Sequence, residues 1–219
     1  MVKLEMKVEN CDVIVMGHLK WNPYFGESEE QPPRGDPSTC TSTMVRGTDR
    51  TGKPYVLLVD PTLRNCAEEY YFDINRRTGL GPGAVTHCFI THEHFDHQAG
   101  VRYFPDARWL AAEPVAEKLK DSPHIDGSRV LPVSGELFPG VRVVPLPGHT
   151  MSLHGLEIRW GNKRILIAGD SVMTRRHFEE ETGMFEENRE LGSETIRKMK
   201  EVYDIIVPGH DNWFWVTGR

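Results

Sequence analysis

The stretch Thr91-His92-Glu93-His94-Phe95-Asp96-His97 decides the reading of this chain. It sets three histidines and one aspartate in six consecutive positions, spaced His-x-His-x-Asp-His. Imidazole and carboxylate are donors that hold zinc, iron or manganese at neutral pH. The run follows an apolar stretch, Val85 to Ile90, that reads as a buried strand. A donor cluster at a strand's carboxyl end, on the turn into a helix, sits where α/β proteins place their chemistry.

Three segments further along share one design, an apolar strand that ends in Gly and then a donor. Val144-Pro145-Leu146-Pro147-Gly148 leads to His149, Ile165-Leu166-Ile167-Ala168-Gly169 to Asp170, and Ile205-Ile206-Val207-Pro208-Gly209 to His210. The glycine lets the backbone turn tightly at a crowded centre. The candidate metal ligands are therefore His92, His94, Asp96, His97, His149, Asp170 and His210. Five of the ten histidines fall in this one pattern, which argues against coincidence.

The remaining sequence reads as an ordinary globular chain. Its 219 residues suit one domain over 1–219 with a sizeable core, and no Pro/Gly linker divides them. The net charge of -6 and the lack of a basic tract exclude nucleic acid as an expected partner. Cys11, Cys40, Cys66 and Cys88 are scattered, without a C-x-x-C pair, and read as reduced thiols of a cytoplasmic protein. Met1 to Asn10 has no apolar leader core, and no apolar run approaches about 20 residues, so no membrane association is expected.

Strands are expected in Met1–Gly17, Thr41–Val45, Tyr55–Val59, Arg108–Ala111, Val141–Leu146, Leu153–Trp160, Arg164–Ala168 and Asp204–Val207. Helices are expected over Asn65–Arg77, stopped by Gly79, over Pro114–Lys120, and over Ser193–Lys200 with Ser193 as N-cap. Residues 20–38, with four prolines, read as a long loop. The mixture indicates one α/β domain.

These residues resemble the metallo-β-lactamase superfamily from Val8 to His210. The landmarks are Asp60 at the end of Tyr55–Val59, the His-x-His-x-Asp-His run, His149, Asp170 and His210. The resemblance implies a four-layer αββα sandwich with the site at one edge of the sheets. It implies that His92, His94 and His149 hold a first metal, that Asp96, His97 and His210 hold a second, and that Asp170 bridges. Asp60 would hydrogen-bond a ligand histidine and fix its tautomer. The order and spacing look most like compact lactonases that open acyl-homoserine lactones, notably over Asp170–Thr174, Phe178-Glu179 and Gly209–Asp211. Two positions depart. Met173 stands where those lactonases carry a tyrosine aimed at the substrate carbonyl, and Ser152-Leu153 stands where many relatives carry Gly-His.

The implied activity is that of a dinuclear metal-dependent hydrolase. A metal-bridging hydroxide would attack a small carbonyl substrate (a lactone, ester or thioester), with Asp96 or Asp170 passing the proton to the leaving group. Zinc is the expected ion, with iron and manganese open. A glyoxalase II-like thioesterase, a mononuclear iron persulfide dioxygenase-like oxidoreductase and a non-catalytic metal scaffold are the competing readings. Trp21, Tyr24, Phe25, Met173 and Trp213 are candidate substrate walls. Arg175, Arg176 and His177 read as either a carboxylate clamp or a solvated helix start. His18, His87, His124, His154 and Cys88 read as structural. The expected partner is a small molecule, with a homodimer open.

Overall fold

A computed structural model describes residues 8–19, 39–183 and 186–217. Two six-stranded sheets organise them. The first runs β1 (Val8–Val15), β2 (Ser42–Thr48), β3 (Pro54–Val59), β4 (His87–Ile90), β5 (Arg108–Ala112) and β6 (Val130–Val133), in that order across the sheet. The second is built from β7 (Glu136–Phe138), β8 (Val141–Pro145), β9 (His154–Trp160), β10 (Lys163–Gly169), β11 (Ile205–Pro208) and β12 (Phe214–Trp215).

Where no helix of the described residues intervenes the strands pair antiparallel, as in β1-β2-β3 and β7-β8-β9-β10. Where a helix intervenes they pair parallel, because a crossover is needed to bring the chain back to the same end. Helix α1 (Ala67–Thr78) separates β3 from β4, α2 (Phe95–Gln98) separates β4 from β5, and α3 (Glu113–Leu119) separates β5 from β6. Helices α4 (Arg175–Glu180) and α5 (Arg189–Val202) lie between β10 and β11. The parallel pairs have a consequence for the site: β3 and β4 end together, and so do β10 and β11.

The two sheets bury Leu57, Val59, Phe89, Leu156, Ile158 and Ile167 in one core, to which α1 adds Tyr70 and Ile74 and α3 adds Val115 and Leu119. A second core, of Leu166, Ala168 and Ile206 with Phe178, Ile196 and Met199, seats α4 and α5 on the second sheet. The layering is αββα, as expected.

Most expected elements lie within one or two residues of their observed ends. Gly79 closes α1 in the left-handed conformation, φ 73°, donating to Asn75 O. Strand β2 runs three residues past its expected end, to Thr48; the loop expected over residues 20–38 and the first seven residues of the strand region expected over 1–17 lie outside the described residues; and helix α5 starts earlier than expected. It begins at Arg189, with the Asn188 side chain accepting from Leu191 N, so Ser193 lies inside it. Gly192 disguised that start, since glycine is a poor helix former. The position is crowded: a Cβ on Gly192 would meet Glu186 Oε1 at 2.5 Å, and a Cβ on Gly148, in the loop to His149, would meet Gly192 Cα at 2.4 Å. Strands β6, β7 and β12 and helix α4 are too short to carry a periodic signal.

Phe89 is wholly buried on β4, and its carbonyl accepts from Asp60 N at 2.9 Å. Truncation of Phe89 to Ala is expected to cost about 3–5 kcal/mol of stability, read by chemical denaturation. A loss under about 1 kcal/mol would mean that the β4 register is not anchored by this ring.

Candidate metal centre

The candidate ligands collect at one edge of the sandwich, beyond the ends of β4, β8, β10 and β11. They form two groups whose donor atoms lie within 4.8 Å of one another: His92, His94, His149 and Asp170, and Asp96, His97 and His210.

In the first group His94 Nδ1 stands 3.1 Å from His92 Nε2 and 3.0 Å from His149 Nε2. Asp170 Oδ2 lies 3.4 Å from His149 Nε2 and 3.9 Å from His92 Nε2. In the second group Asp96 Oδ2 lies 3.4 Å from His210 Nε2 and 3.8 Å from His97 Nε2. Asp170 reaches this group too, with Oδ2 3.3 Å from His210 Nε2 and Oδ1 3.1 Å from His97 Nε2. Its carboxylate therefore stands between the two groups.

Backbone geometry makes room for that carboxylate. A Cβ on Gly209 would meet Asp170 Oδ1 at 2.0 Å, so the residue before His210 cannot carry a side chain. Asp60, at the end of β3, accepts from Thr91 N and Thr91 Oγ1, each at 2.8 Å, and from His97 Nδ1 at 2.9 Å. Asp60 adopts φ 46°, a left-handed conformation that aspartate tolerates better than most residues. Thr91 Oγ1 also lies 3.0 Å from His92 Nδ1. His210 Nδ1 donates to the carbonyls of Thr39 and His18, at 3.1 and 3.3 Å.

These contacts test whether a cation fits. With Nδ1 of His97 donating to Asp60, Nε2 is left with a lone pair directed at Asp170 Oδ1. Both atoms are buried and neither makes a hydrogen bond. Two acceptors facing each other at 3.1 Å repel unless a proton or a cation lies between them. The donor set, all imidazole and carboxylate, suits a borderline divalent ion.

Without a cation the protons divide unevenly. Burial pulls the pKa of His97 down, but Cys40, Asp170, Asp96 and Asp60 outweigh it and hold it well above the ordinary imidazole value. Burial likewise opposes the charged form of His210, and Asp170 and Asp96 raise it. Burial favours the neutral acid at Asp170, yet His210 and His97 hold its carboxyl well below the usual range. His92 and His94 go the other way, pushed down by burial and by neighbouring imidazoles.

Of the candidate substrate walls, Trp21, Tyr24 and Phe25 lie outside the described residues. Met173 is buried, and its carbonyl accepts from His210 N at 2.8 Å. Trp213 lines an apolar slot of about 250 Å³ between β1 and β10–β12, whose walls include none of the candidate ligands. Arg175 and Arg176 pair with Glu179 and Glu180 along α4, which favours the helix-start reading over a carboxylate clamp. His177 is buried, its Nδ1 2.9 Å from Thr174 Oγ1. Cys88 is core, as expected.

Sequence reasoning passed over Cys40, whose thiol donates to Asp96 O at 3.1 Å, and Thr91, Phe95 and Met151. Phe95 and Met151 are exposed beside His94 and His149, and Phe95 stacks edge-on against His124. Their adjacency to ligands was the available signal.

The family model of the metallo-beta-lactamase superfamily matches residues 35–210. The chain belongs to that superfamily. It is 28% identical over 158 residues to an N-acyl homoserine lactonase of a Bacillus species, a match covering 66% of this chain and 63% of the relative. The chain thus spans less than two thirds of the curated relatives it matches first. Its fold is shared with a Thermotoga maritima protein described as a metallo-beta-lactamase, at TM-score 0.69 and 19% identity, covering 94% of this chain and 98% of that one. A quorum-quenching N-acyl homoserine lactone lactonase gives TM-score 0.67 at 22% identity, covering 95% and 94%.

The proton inventory sets an expectation for metal uptake. A ligand imidazole must be neutral, so a cation entering between His97 and His210 displaces protons that their surroundings hold above the ordinary value. Proton release on loading with zinc, followed by calorimetry in buffers of different ionisation heat, should therefore accompany binding. Affinity should fall as pH drops, and fall first for the group containing His97 and His210. Loading without proton release at neutral pH would contradict the assignment.

Proposed function

We propose that this chain is a dinuclear metal-dependent hydrolase of a small carbonyl substrate: a lactone, an ester or a thioester. The observation that carries the reading is the position of Asp170, one carboxylate with its two oxygens shared between two donor groups. The proposed ligands are His92, His94 and His149 for one ion and Asp96, His97 and His210 for the other, with Asp170 common to both. Zinc is the proposed metal. Two such ions supply a nucleophile at neutral pH and polarise a carbonyl oxygen.

The chain's own residues divide the remaining work. Asp60 fixes the His97 tautomer, so that Nε2 faces the centre. Asp170 is buried and enclosed by ligand imidazoles, which suits it to hold rather than to shuttle. The half-buried Asp96 is the carboxylate from which a leaving group can collect a proton. Phe95 and Met151, one and two residues from His94 and His149 in sequence, are exposed, which supports a substrate bearing an acyl or ring group. The similarity to N-acyl homoserine lactonases makes lactones the first class to try. We place the protein in the cytoplasm as a single domain, consistent with four free thiols.

Metal analysis of protein purified without added metal or chelator, together with a lactone, ester and thioester panel, tests the reading. Two zinc ions per chain and hydrolysis on that panel are expected. One iron per chain with oxygen uptake on persulfides would replace the reading with oxygenase chemistry. In Asp170→Ala or His210→Ala, turnover should drop at least about 100-fold, with loss of bound metal. Wild-type activity in either variant would overturn the assignment.

A further inference from the structure

A set of side chains that are not candidate ligands ties together the loops that carry the first donor group. Glu93 lies between His92 and His94, and its side chain is only 19% exposed. Its Oε2 accepts from Ser152 Oγ at 2.7 Å, and Ser152 Oγ lies 3.1 Å from Thr150 Oγ1. Ser152 and Thr150 are buried in the loop that follows His149. On the other side, Glu93 Oε1 meets Lys118 Nζ of α3 at 2.5 Å. Lys118 also lies 3.7 Å from Glu187 Oε1, and the other Glu187 oxygen accepts from Met151 N at 2.7 Å. Glu187 N donates to His149 O at 3.1 Å. The Glu93 backbone is fixed too, its carbonyl accepting from Gln98 Nε2 at 2.5 Å.

The second donor group is supported by other residues: Asp60 for His97, the Thr39 and His18 carbonyls for His210, and Cys40 for the Asp96 carbonyl. Asp60 also reaches the first group, through Thr91 to His92, but the contacts of Glu93 are confined to the loops of the first group, and Glu93 belongs to that half of the support. Within that half the Ser152 bond matters most. A buried hydroxyl bonded to a carboxylate is charge-assisted and shielded from water, whereas Lys118 is 42% exposed and its attraction is screened.

Resting on the dinuclear reading above, we propose that Glu93 is a positioning residue. Through Ser152 it fastens the His149 loop to the His92–His94 loop and so sets the affinity for the ion held by that group alone. The serine at position 152 supplies the hydroxyl that makes the tie available.

Competition with a chromophoric chelator on the zinc-loaded full chain resolves the two ions. Ser152→Ala and Glu93→Ala should each weaken one zinc ion by about tenfold and leave the other unchanged. Ser152→Thr, which keeps the hydroxyl, should restore both affinities. Glu93→Gln, which keeps an acceptor but not the charge, should fall between wild type and Glu93→Ala. The melting temperature of the metal-free variants should fall by no more than a few degrees, the cost of one hydrogen bond. Two unchanged zinc affinities in Ser152→Ala and Glu93→Ala would overturn the proposal while leaving the dinuclear reading standing. Equal weakening of both ions together with a larger fall in the metal-free melting temperature would also overturn it, as the mark of a general packing role. A wild-type chain that takes no zinc would defeat the dinuclear reading itself.

Discussion

The centre depends on one buried carboxylate that is not a candidate ligand. Asp60 is 1% exposed, so its charge must be matched by donors. It has three: the Thr91 amide, the Thr91 hydroxyl and His97 Nδ1. The first two pin the residue that opens the ligand run, immediately after β4. The third turns the His97 ring and decides which nitrogen faces Asp170. Thr91 Oγ1 also touches His92 Nδ1, so one carboxylate orients a histidine from each donor group. The arrangement needs β3 and β4 to end at the same level, which their parallel pairing supplies, with Val59 opposite Phe89. A local cost is accepted to achieve it, since φ 46° at a non-glycine residue is disfavoured by about 1–2 kcal/mol.

Much of this was legible in the sequence because its signals are local. A run of donors after an apolar strand, and glycine before each further donor, report chain geometry over a few residues. His149, Asp170 and His210 could be named for that reason, and Gly209 explains why the pattern exists: there is no space for a Cβ beside Asp170. What stayed hidden depends on contacts across the chain. Glu93 and Ser152 are 59 residues apart, and Cys40 and Asp96 are 56 apart. No spacing rule links them. The start of α5 was misplaced for a similar reason. Gly192 weakens the helical signal, and the crowding there, from Glu186 and the Gly148 backbone, comes from outside the helix. Trp213 read as a substrate wall because it follows His210 closely, yet three residues suffice to carry the chain to the outer slot beside β1.

Met173 shows how a departure from the family pattern is absorbed. Its side chain is buried at 3% exposure, so the position where the family resemblance implies a tyrosine hydroxyl offers packing here. The residue still contributes to the centre through its backbone, since Met173 O receives His210 N and Val172 O receives Gly209 N. The turn after Asp170 is thereby fastened to the turn bearing His210, whatever the side chain at 173. Backbone anchoring of this kind leaves the side chain free to vary without disturbing the ligands, which separates the part of the fold that holds metal from the part that selects substrate. Among the described residues close to the ligands in sequence, Phe95 and Met151 are exposed and Asp96 is partly so.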